Sequence, residues 1–269
     1  MTRFSTIVMA LLAIGTSLLS TLPTRAEQPT DVTSKMAWTD GFAPQVWSIS
    51  TAFRSQYVFS NGALAYDKFV AQPNLFVKLQ NGFTMDVWSS IPVDTSDIGD
   101  NFGTELDFTV GWSGEVYGFN LNLNANYYDM YRVFRADESD MWVPTFETSY
   151  DFALTPEITV SPYFKLEVNF TTNGATVGET FERLGTRVSW KMNDLVTLAG
   201  DTYALYDPGI LGGDVAWIGS AEASVLWDVG GGVIVEFPYV RVISPFDSTK
   251  GTDDRGTKII YGAGMTLNF

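Results

Sequence analysis

The sequence contains no cysteine and no histidine, and these two absences exclude several kinds of site. Without cysteine there is no disulfide framework, so stability must come from hydrogen bonding and burial. Without histidine there is no Ser-His-Asp triad and no histidine-bound zinc or haem. A mechanism that uses only carboxylates stays open, but Glu105 and Asp107 are i, i+2 neighbours on one polar strand face. The composition therefore predicts that the protein is not an enzyme and holds no cofactor.

Basic residues are also scarce, since 16 Lys and Arg stand against 31 Asp and Glu, for a net charge of −15. A protein that binds phosphate backbones needs a basic face, so we do not expect nucleic acid as a partner. No acidic stretch has the spacing of a calcium-binding loop. We therefore predict no metal site.

Long apolar runs are missing from most of the chain. The run Ile7–Leu19 follows Arg3 and is followed by a Thr-Arg-Ala cleavage sequence, which is the pattern of a secretory signal peptide. The run is short for a membrane-spanning helix, although a membrane anchor is the alternative. We predict a signal peptide at residues 1–26 and a periplasmic lead-in at residues 27–44. Downstream, no stretch reaches 18 consecutive apolar residues, so no transmembrane helix is expected.

Short runs of alternating apolar and polar residues fill the rest of the chain. In Phe119–Tyr127, for example, five apolar residues alternate with four asparagines. A period of two indicates a β-strand with one apolar and one polar face. We predict twelve strands, at residues 46–60, 68–80, 83–91, 102–113, 117–131, 141–153, 157–170, 181–192, 195–206, 214–227, 232–243 and 257–269.

The connections between these strands are short and long in turn. Three of the five short ones contain an Asn-Gly, Gly-Gly or Asn-Asp pair, which suits a hairpin turn because these residues tolerate positive φ. The long ones are acidic. An even number of antiparallel strands with tight turns at one end and long loops at the other is typical of bacterial outer-membrane barrels. The predicted fold class is all-β, a transmembrane antiparallel up-and-down β-barrel of about 12 strands over residues 45–269.

The apolar faces are expected to contact lipid, because the opposite faces are so rich in Asn, Asp, Glu and Lys that they require water or dense pairing. A soluble β-sandwich or a lipocalin-like binder is the alternative. Aromatic residues gather near strand ends, where a membrane girdle lies. They are Trp47, Tyr57, Phe59, Trp112, Tyr127, Trp142, Trp190, Trp217 and Trp227. We predict that the protein lies in the bacterial outer membrane, with its lipid and lipopolysaccharide as partners.

The last residue, Phe269, ends an alternating strand. A barrel must close so that no strand edge is unpaired in hydrocarbon, and the twelfth strand is therefore expected to pair with the first. A terminal phenylalanine on such a strand is similar to the recognition signal of the outer-membrane assembly machinery of Gram-negative bacteria. We predict that Phe269 is an assembly signal and that this machinery is a partner. The alternative is that the aromatic terminus is coincidental.

Several motifs in residues 45–150 resemble the TorF-type porins. Ser55–Gly62 carries the Tyr-Val-Phe pattern that ends the first strand of that family, and Gln72–Asn74 carries its Gln-Pro strand motif. Asn81–Ser89 has its Asn-Gly-Phe turn and Val-Trp strand, and Glu105–Asp107 precedes an aromatic strand containing glycine. The chain departs from the family in having Ser-Asn-Gly, not Arg-Gly, after Val-Phe. The resemblance implies an outer-membrane porin barrel and no particular substrate.

The polar strand faces are predicted to line a narrow lumen. Strands about 4.8 Å apart and tilted by about 40° give a twelve-stranded barrel a backbone radius of about 12 Å. Cations form two tracks, one on strands one, two and twelve and one on strands seven and eight, and acids dominate the arcs between. The predicted lining residues are Arg54, Lys78, Asp86, Glu105, Asp107, Asn122, Asn124, Glu147, Asp151, Lys165, Glu167, Arg183, Arg187, Lys191, Asp201, Glu222, Glu236 and Lys258.

Charged tracks select ions by their field, so we predict a porin-like channel for the passive diffusion of small hydrophilic solutes or ions. For any single charge the alternative is that it pairs with a neighbouring strand and stiffens the wall. For the whole protein the alternative is a non-conducting structural or adhesive barrel whose acidic extracellular loops bind a partner. Acidic residues in those loops are expected either to keep the loops soluble or to bind divalent cations. They are Asp94, Asp97, Asp100, Asp137, Glu138, Asp140, Asp253 and Asp254.

Overall fold

A computed structural model describes residues 44–94, 96, 103–130, 133, 140–172, 174, 177–209, 215–248 and 256–269. The predicted signal peptide, residues 1–26, lies outside these ranges, as does the predicted lead-in except its last residue. In the part of the chain that the structure describes, no helix has the length and apolar character needed to cross a membrane.

Twelve of the strands form one closed antiparallel barrel, as predicted. In chain order the strands are β1 (Pro44–Arg54), β2 (Tyr57–Val58), β3 (Leu64–Tyr66), β4 (Val70–Leu79), β5 (Phe83–Pro92), β6 (Glu105–Val116), β7 (Phe119–Met130), β8 (Met141–Tyr150), β9 (Phe152–Ala153), β10 (Ile158–Thr171), β11 (Val177–Lys191), β12 (Val196–Asp207), β13 (Ala216–Gly230), β14 (Val233–Ser248) and β15 (Lys258–Asn268). The two-residue β9 continues β8, while β2 and β3 pair only with each other. The barrel closes where β1 pairs with β15, from Ser48↔Asn268 to Arg54↔Gly262.

The outer face of the barrel is apolar and exposed. On β15, Ile259, Tyr261 and Met265 are 58%, 55% and 50% exposed. A soluble sandwich or lipocalin-like barrel would bury such side chains, whereas here they cover the outside of a closed sheet. Hydrocarbon is therefore the medium that these side chains meet, and the barrel spans a membrane.

Aromatic side chains form belts at both ends of this outer face. Trp112, Trp190 and Trp227 are exposed beside short turns, and Trp142 is exposed beside a long connection. This arrangement confirms the predicted girdle at those positions. The prediction was wrong for Tyr57 and Phe59, because β1 ends at Arg54 and the chain then turns into the barrel.

The last residue is built into the line where the barrel closes. The Phe269 amide donates to the Trp47 carbonyl at 3.0 Å. The two rings stack with centroids 3.9 Å apart and an angle of 16° between their planes. Phe269 therefore adds a hydrogen bond and an aromatic contact to the β1–β15 pairing, and its assembly role stays a separate prediction.

We expect the substitution Phe269→Ala to lower the free energy of unfolding in lipid vesicles by about 0.5–1.5 kcal/mol more than Met265→Ala, since only Phe269 loses a ring stack. Denaturant titration followed by tryptophan fluorescence measures this difference. Equal losses in the two variants would show that the stack does not stabilise closure. In cells, the amount of assembled Phe269→Ala barrel can be compared with that of the wild type. A drop larger than the measured loss of stability explains would support the assembly signal.

Candidate functional site

The inner face of the barrel carries the polar side chains that the alternating sequence pattern predicts to face the lumen. Strand register places Asn122 opposite Glu147, Asn124 opposite Thr145, and Asp86 opposite Thr109. Lys78 lies opposite the buried Thr84, and Lys258 lies opposite the buried Ile243. These residues share inward-facing positions, and their part in conduction stays a prediction.

The cations of the lumen gather on the inner faces of β10, β11, β14 and β1. We call this region the basic sector, and it comprises Arg54, Lys165, Arg183, Arg187 and Arg241. Four of these side chains form ion pairs with acids on their own or nearby strands. The pairs are Arg54–Glu236 at 2.6 Å, Lys165–Glu167 at 2.8 Å, Arg183–Glu167 at 3.3 Å, Arg187–Glu147 at 2.8 Å and Arg187–Asp201 at 3.7 Å. The predicted basic tracks are thus partly neutralised by neighbouring acids.

Tyrosines hold the guanidinium groups of this sector in place. Arg54 lies over the Tyr239 ring at 3.7 Å from the centroid. Arg187 lies over Tyr163 at 4.2 Å, and Arg183 over Tyr203 at 4.5 Å. Such stacking orients the flat guanidinium groups, whose N–H groups also make the ion pairs described above. The tyrosines alternate with the charged residues on the same strand faces.

Arg241 belongs to the basic sector although the sequence did not identify it. Its Nε donates to the Ser220 hydroxyl at 2.9 Å, and its Nη2 donates to the Tyr203 hydroxyl. No carboxylate pairs with Arg241 among the residues that the structure describes. Glu222 is its register partner on β13, but the Glu222 carboxylate accepts from Tyr239 at 3.0 Å.

Acids without cations occupy another part of the lumen. Asp86 on β5 and Glu105 and Asp107 on β6 form what we call the acidic wall. Within the described ranges none of these three carboxyl groups makes an ion pair. Glu105 is only 3% exposed, and its carboxylate accepts a hydrogen bond from Tyr57 at 2.6 Å. No group of three or more metal-ligating residues is placed to hold a metal in the described part of the chain.

A hairpin folds into the lumen after β1 and contacts strands β6 and β12. This inner hairpin comprises residues 57–66, with β2 and β3 as its arms. The first predicted strand continued to residue 60, with an exposed loop after it, and that prediction was wrong. The segment instead turns inward after β1, because its apolar residues find partners inside. Val58, 4% exposed, belongs to a buried cluster with Ile218 and Ile243.

Polar contacts anchor the tip of the inner hairpin on the far side. Asn61 Nδ2 donates to Asp207 at 3.1 Å. The Tyr203 hydroxyl donates to the Ser60 carbonyl at 3.3 Å. Together with the Tyr57–Glu105 bond, these contacts tie the hairpin to strands β6 and β12. The hairpin therefore narrows the lumen.

Beside the hairpin lies a cavity of about 570 Å³. Its lining combines the acidic wall, through Glu105 and Asp107, with the basic sector, through Arg183 and Arg241. The aromatic rings of Trp88, Tyr128 and Tyr239 are also part of the lining. Charges of both signs thus meet one water-accessible space, which is suited to dipolar solutes.

Two predicted lining residues lie at the end of the barrel that carries the short turns. Asp151 accepts from Asn120 at 3.0 Å and from Ser161 at 2.5 Å. Lys191 pairs with Asp194 at 2.8 Å, with side chains 56% and 95% exposed, so Lys191 lies at the rim and not in the narrow lumen. The hydrogen bond from Lys191 lowers the pKa of Asp194.

The acids expected at the outer mouth are only partly described. Asp94 contacts Lys68 at 3.4 Å in an exposed pair. Asp140 is fully buried and accepts from the Tyr127 hydroxyl at 3.0 Å and the Met130 amide at 3.2 Å, so its expected exposure was wrong. The other acids of this set, Asp97, Asp100, Asp137, Glu138, Asp253 and Asp254, lie outside the described residues.

Comparisons with solved structures support the same architecture. The NanC porin is 12% identical, with a TM-score of 0.50, and the match covers 82% of this chain and 98% of that one. The KdgM porin is 9% identical, with a TM-score of 0.53, and the match covers 82% and 99%. The chain has the fold of an outer-membrane porin barrel. No family model and no curated protein sequence matches it, so the TorF-type resemblance is not confirmed.

Proposed function

We propose that the protein is a porin-like channel for the passive diffusion of small hydrophilic solutes, and that it belongs with the TorF-type porins. The observation that carries the proposal is the cavity of about 570 Å³ inside the barrel, which charged side chains of both signs line. They include Glu105, Asp107, Arg183 and Arg241. A sealed barrel would have to pair every buried charge within its wall, whereas a water-filled space lets such charges stay hydrated.

The arrangement of charge supports this function. The acidic wall and the basic sector lie on different arcs of the lumen, so a permeating solute meets a field across its path as well as along it. The KdgM porin has also been solved in complex with disordered oligogalacturonate, with a TM-score of 0.52 and 8% identity to this chain. That ligand belongs to the KdgM porin, and here it supports only the passage of a hydrophilic solute.

The first experiment is the conductance of the purified protein in a planar lipid bilayer. We expect discrete ohmic steps that are small compared with those of wide porins, because the inner hairpin fills part of the lumen. Boiled protein, which no longer migrates as a folded barrel on a gel, is the control and should add no steps. Silence over repeated insertions of folded protein would contradict the channel and favour the adhesive or structural barrel.

We also propose the wider setting of this channel. The outer aromatic belts meet lipid and lipopolysaccharide, and Phe269 engages the assembly machinery during insertion. The lumen residues predicted from the sequence act on the solute through their charge and hydration. Catalysis is not part of the proposal.

A further inference from the structure

The lumen cavity has two poles of opposite charge, and each pole lacks a partner. The cavity lies between Asp107 on β6 and Arg241 on β14, which are nearly across the barrel from each other. A neutral solute would leave both poles unsatisfied, and a singly charged solute would satisfy only one. The pattern of unsatisfied groups therefore describes the ligand.

The acidic pole lacks a cation. Asp107 Oδ1 is buried and has no hydrogen-bond partner in the described part of the chain. Glu105 beside it already accepts from Tyr57, which is a neutral donor. Two carboxyl groups this close are unfavourable unless a positive charge lies between them or they share a proton. An ammonium group supplies both the charge and three N–H donors.

The basic pole lacks an anion. Arg241 has no carboxylate partner among the described residues, since Glu222 is engaged by Tyr239. Arg183 shares Glu167 with Lys165, so two cations face one acid, and Arg183 Nε is buried without an acceptor. The two guanidinium groups both contact the Tyr203 ring. A carboxylate is the planar anion that such a pair of guanidinium groups binds best.

The distance between the poles sets the length of the solute. Strands β6 and β14 are five strands apart around a barrel of about 12 Å radius, so side chains leave roughly 10 Å between the poles. Three extended residues span about 10 Å. We infer that the cavity binds zwitterionic solutes of tripeptide length, with the carboxylate on Arg183 and Arg241 and the ammonium on Glu105 and Asp107. This inference rests on the proposed channel, since the solute must reach the lumen.

The test compares four molecules that differ only in their end groups. Triglycine has both charges, N-acetyltriglycine lacks the ammonium, triglycinamide lacks the carboxylate, and N-acetyltriglycinamide lacks both. Their affinities are measured by concentration-dependent block of the ion current and by calorimetry on detergent-purified protein. We expect triglycine to bind about tenfold more tightly than either singly charged analogue.

Two variants assign the poles. Asp107→Asn should weaken triglycine to the affinity of N-acetyltriglycine and leave N-acetyltriglycine unchanged. Arg241→Gln should weaken triglycine and N-acetyltriglycine and leave triglycinamide unchanged. Asp151→Asn and Lys191→Gln, which remove the same charges near the rim, are the matched controls and should alter none of the affinities. The gel shift on boiling shows that each variant is folded.

The outcomes separate this inference from the channel itself. Equal affinities of the four molecules in a conducting protein would overturn the zwitterion site and leave the channel intact. Selective triglycine binding in calorimetry without any conductance would support the site and overturn the channel.

Discussion

Replacing residues 56–68 with Gly-Ser-Gly is expected to raise the single-channel conductance at least about twofold, because the inner hairpin fills part of a lumen only about 12 Å in backbone radius. Arg54 and Val70 lie directly opposite each other in the β1–β4 register, so a short turn can join them without disturbing the barrel. The measurement is the step size in a planar bilayer in symmetric potassium chloride.

A second variant tests whether a change in conductance comes from the hairpin itself or from distortion of the barrel wall by the deletion. Tyr57→Phe with Asn61→Ala deletes the bonds to Glu105 and Asp207 and keeps the hairpin chain in place. We expect this variant to flicker between the wild-type step and a larger one, since the apolar contact of Val58 is retained. Step sizes that stay at the wild-type value in both variants would show that the hairpin does not restrict the current.

Reversing two charges of the basic sector should shift ion selectivity strongly toward cations. In Arg183→Glu with Arg187→Glu, the partners Glu147, Glu167 and Asp201 would face two more acids. The net charge lining the constriction then becomes four units more negative. The permeability ratio of potassium to chloride should therefore rise by about tenfold. The reversal potential in asymmetric potassium chloride measures this ratio.

The control for this experiment changes the net charge equally but away from the constriction. Lys68 and Lys191 are 58% and 56% exposed at opposite ends of the barrel, where salt screens their fields. Lys68→Glu with Lys191→Glu should therefore leave the reversal potential nearly unchanged. Equal shifts in the two double variants would point to a surface effect and remove the proposed role of Arg183 and Arg187 in selectivity.

Sequence alternation predicted the barrel because lipid imposes a simple rule on every strand. Each second residue must be apolar where it meets hydrocarbon, and Phe108 and Val110 on β6 obey this as clearly as Ile259 and Met265 on β15. The Asn-Gly turn at Gly82 marked a hairpin for an equally local reason, since Gly82 has φ of +86° and a Cβ there would lie 2.5 Å from the Ser113 carbonyl oxygen.

Arg241 shows where this rule fails. Counting in twos from the inward-facing Glu236 assigns Arg241 to the lipid side. A register shift between Glu236 and Tyr239 in the β14–β15 pairing changes the phase, so that Tyr239, Arg241 and Ile243 face the lumen. A bulge shifts every residue after it, and the sequence of one strand does not reveal the register of its neighbour.

Local periodicity and composition were enough to predict twelve barrel strands, the lipid-facing side of most of them and the absence of any histidine chemistry. The exception was β14 beyond its bulge. The assembled barrel was needed to show that residues 57–66 turn into the lumen, that most of the basic sector is paired with acids, and that Asp107 and Arg241 share one cavity. Those relations join residues that are far apart in the chain, and they arise when twelve strands close around a common interior.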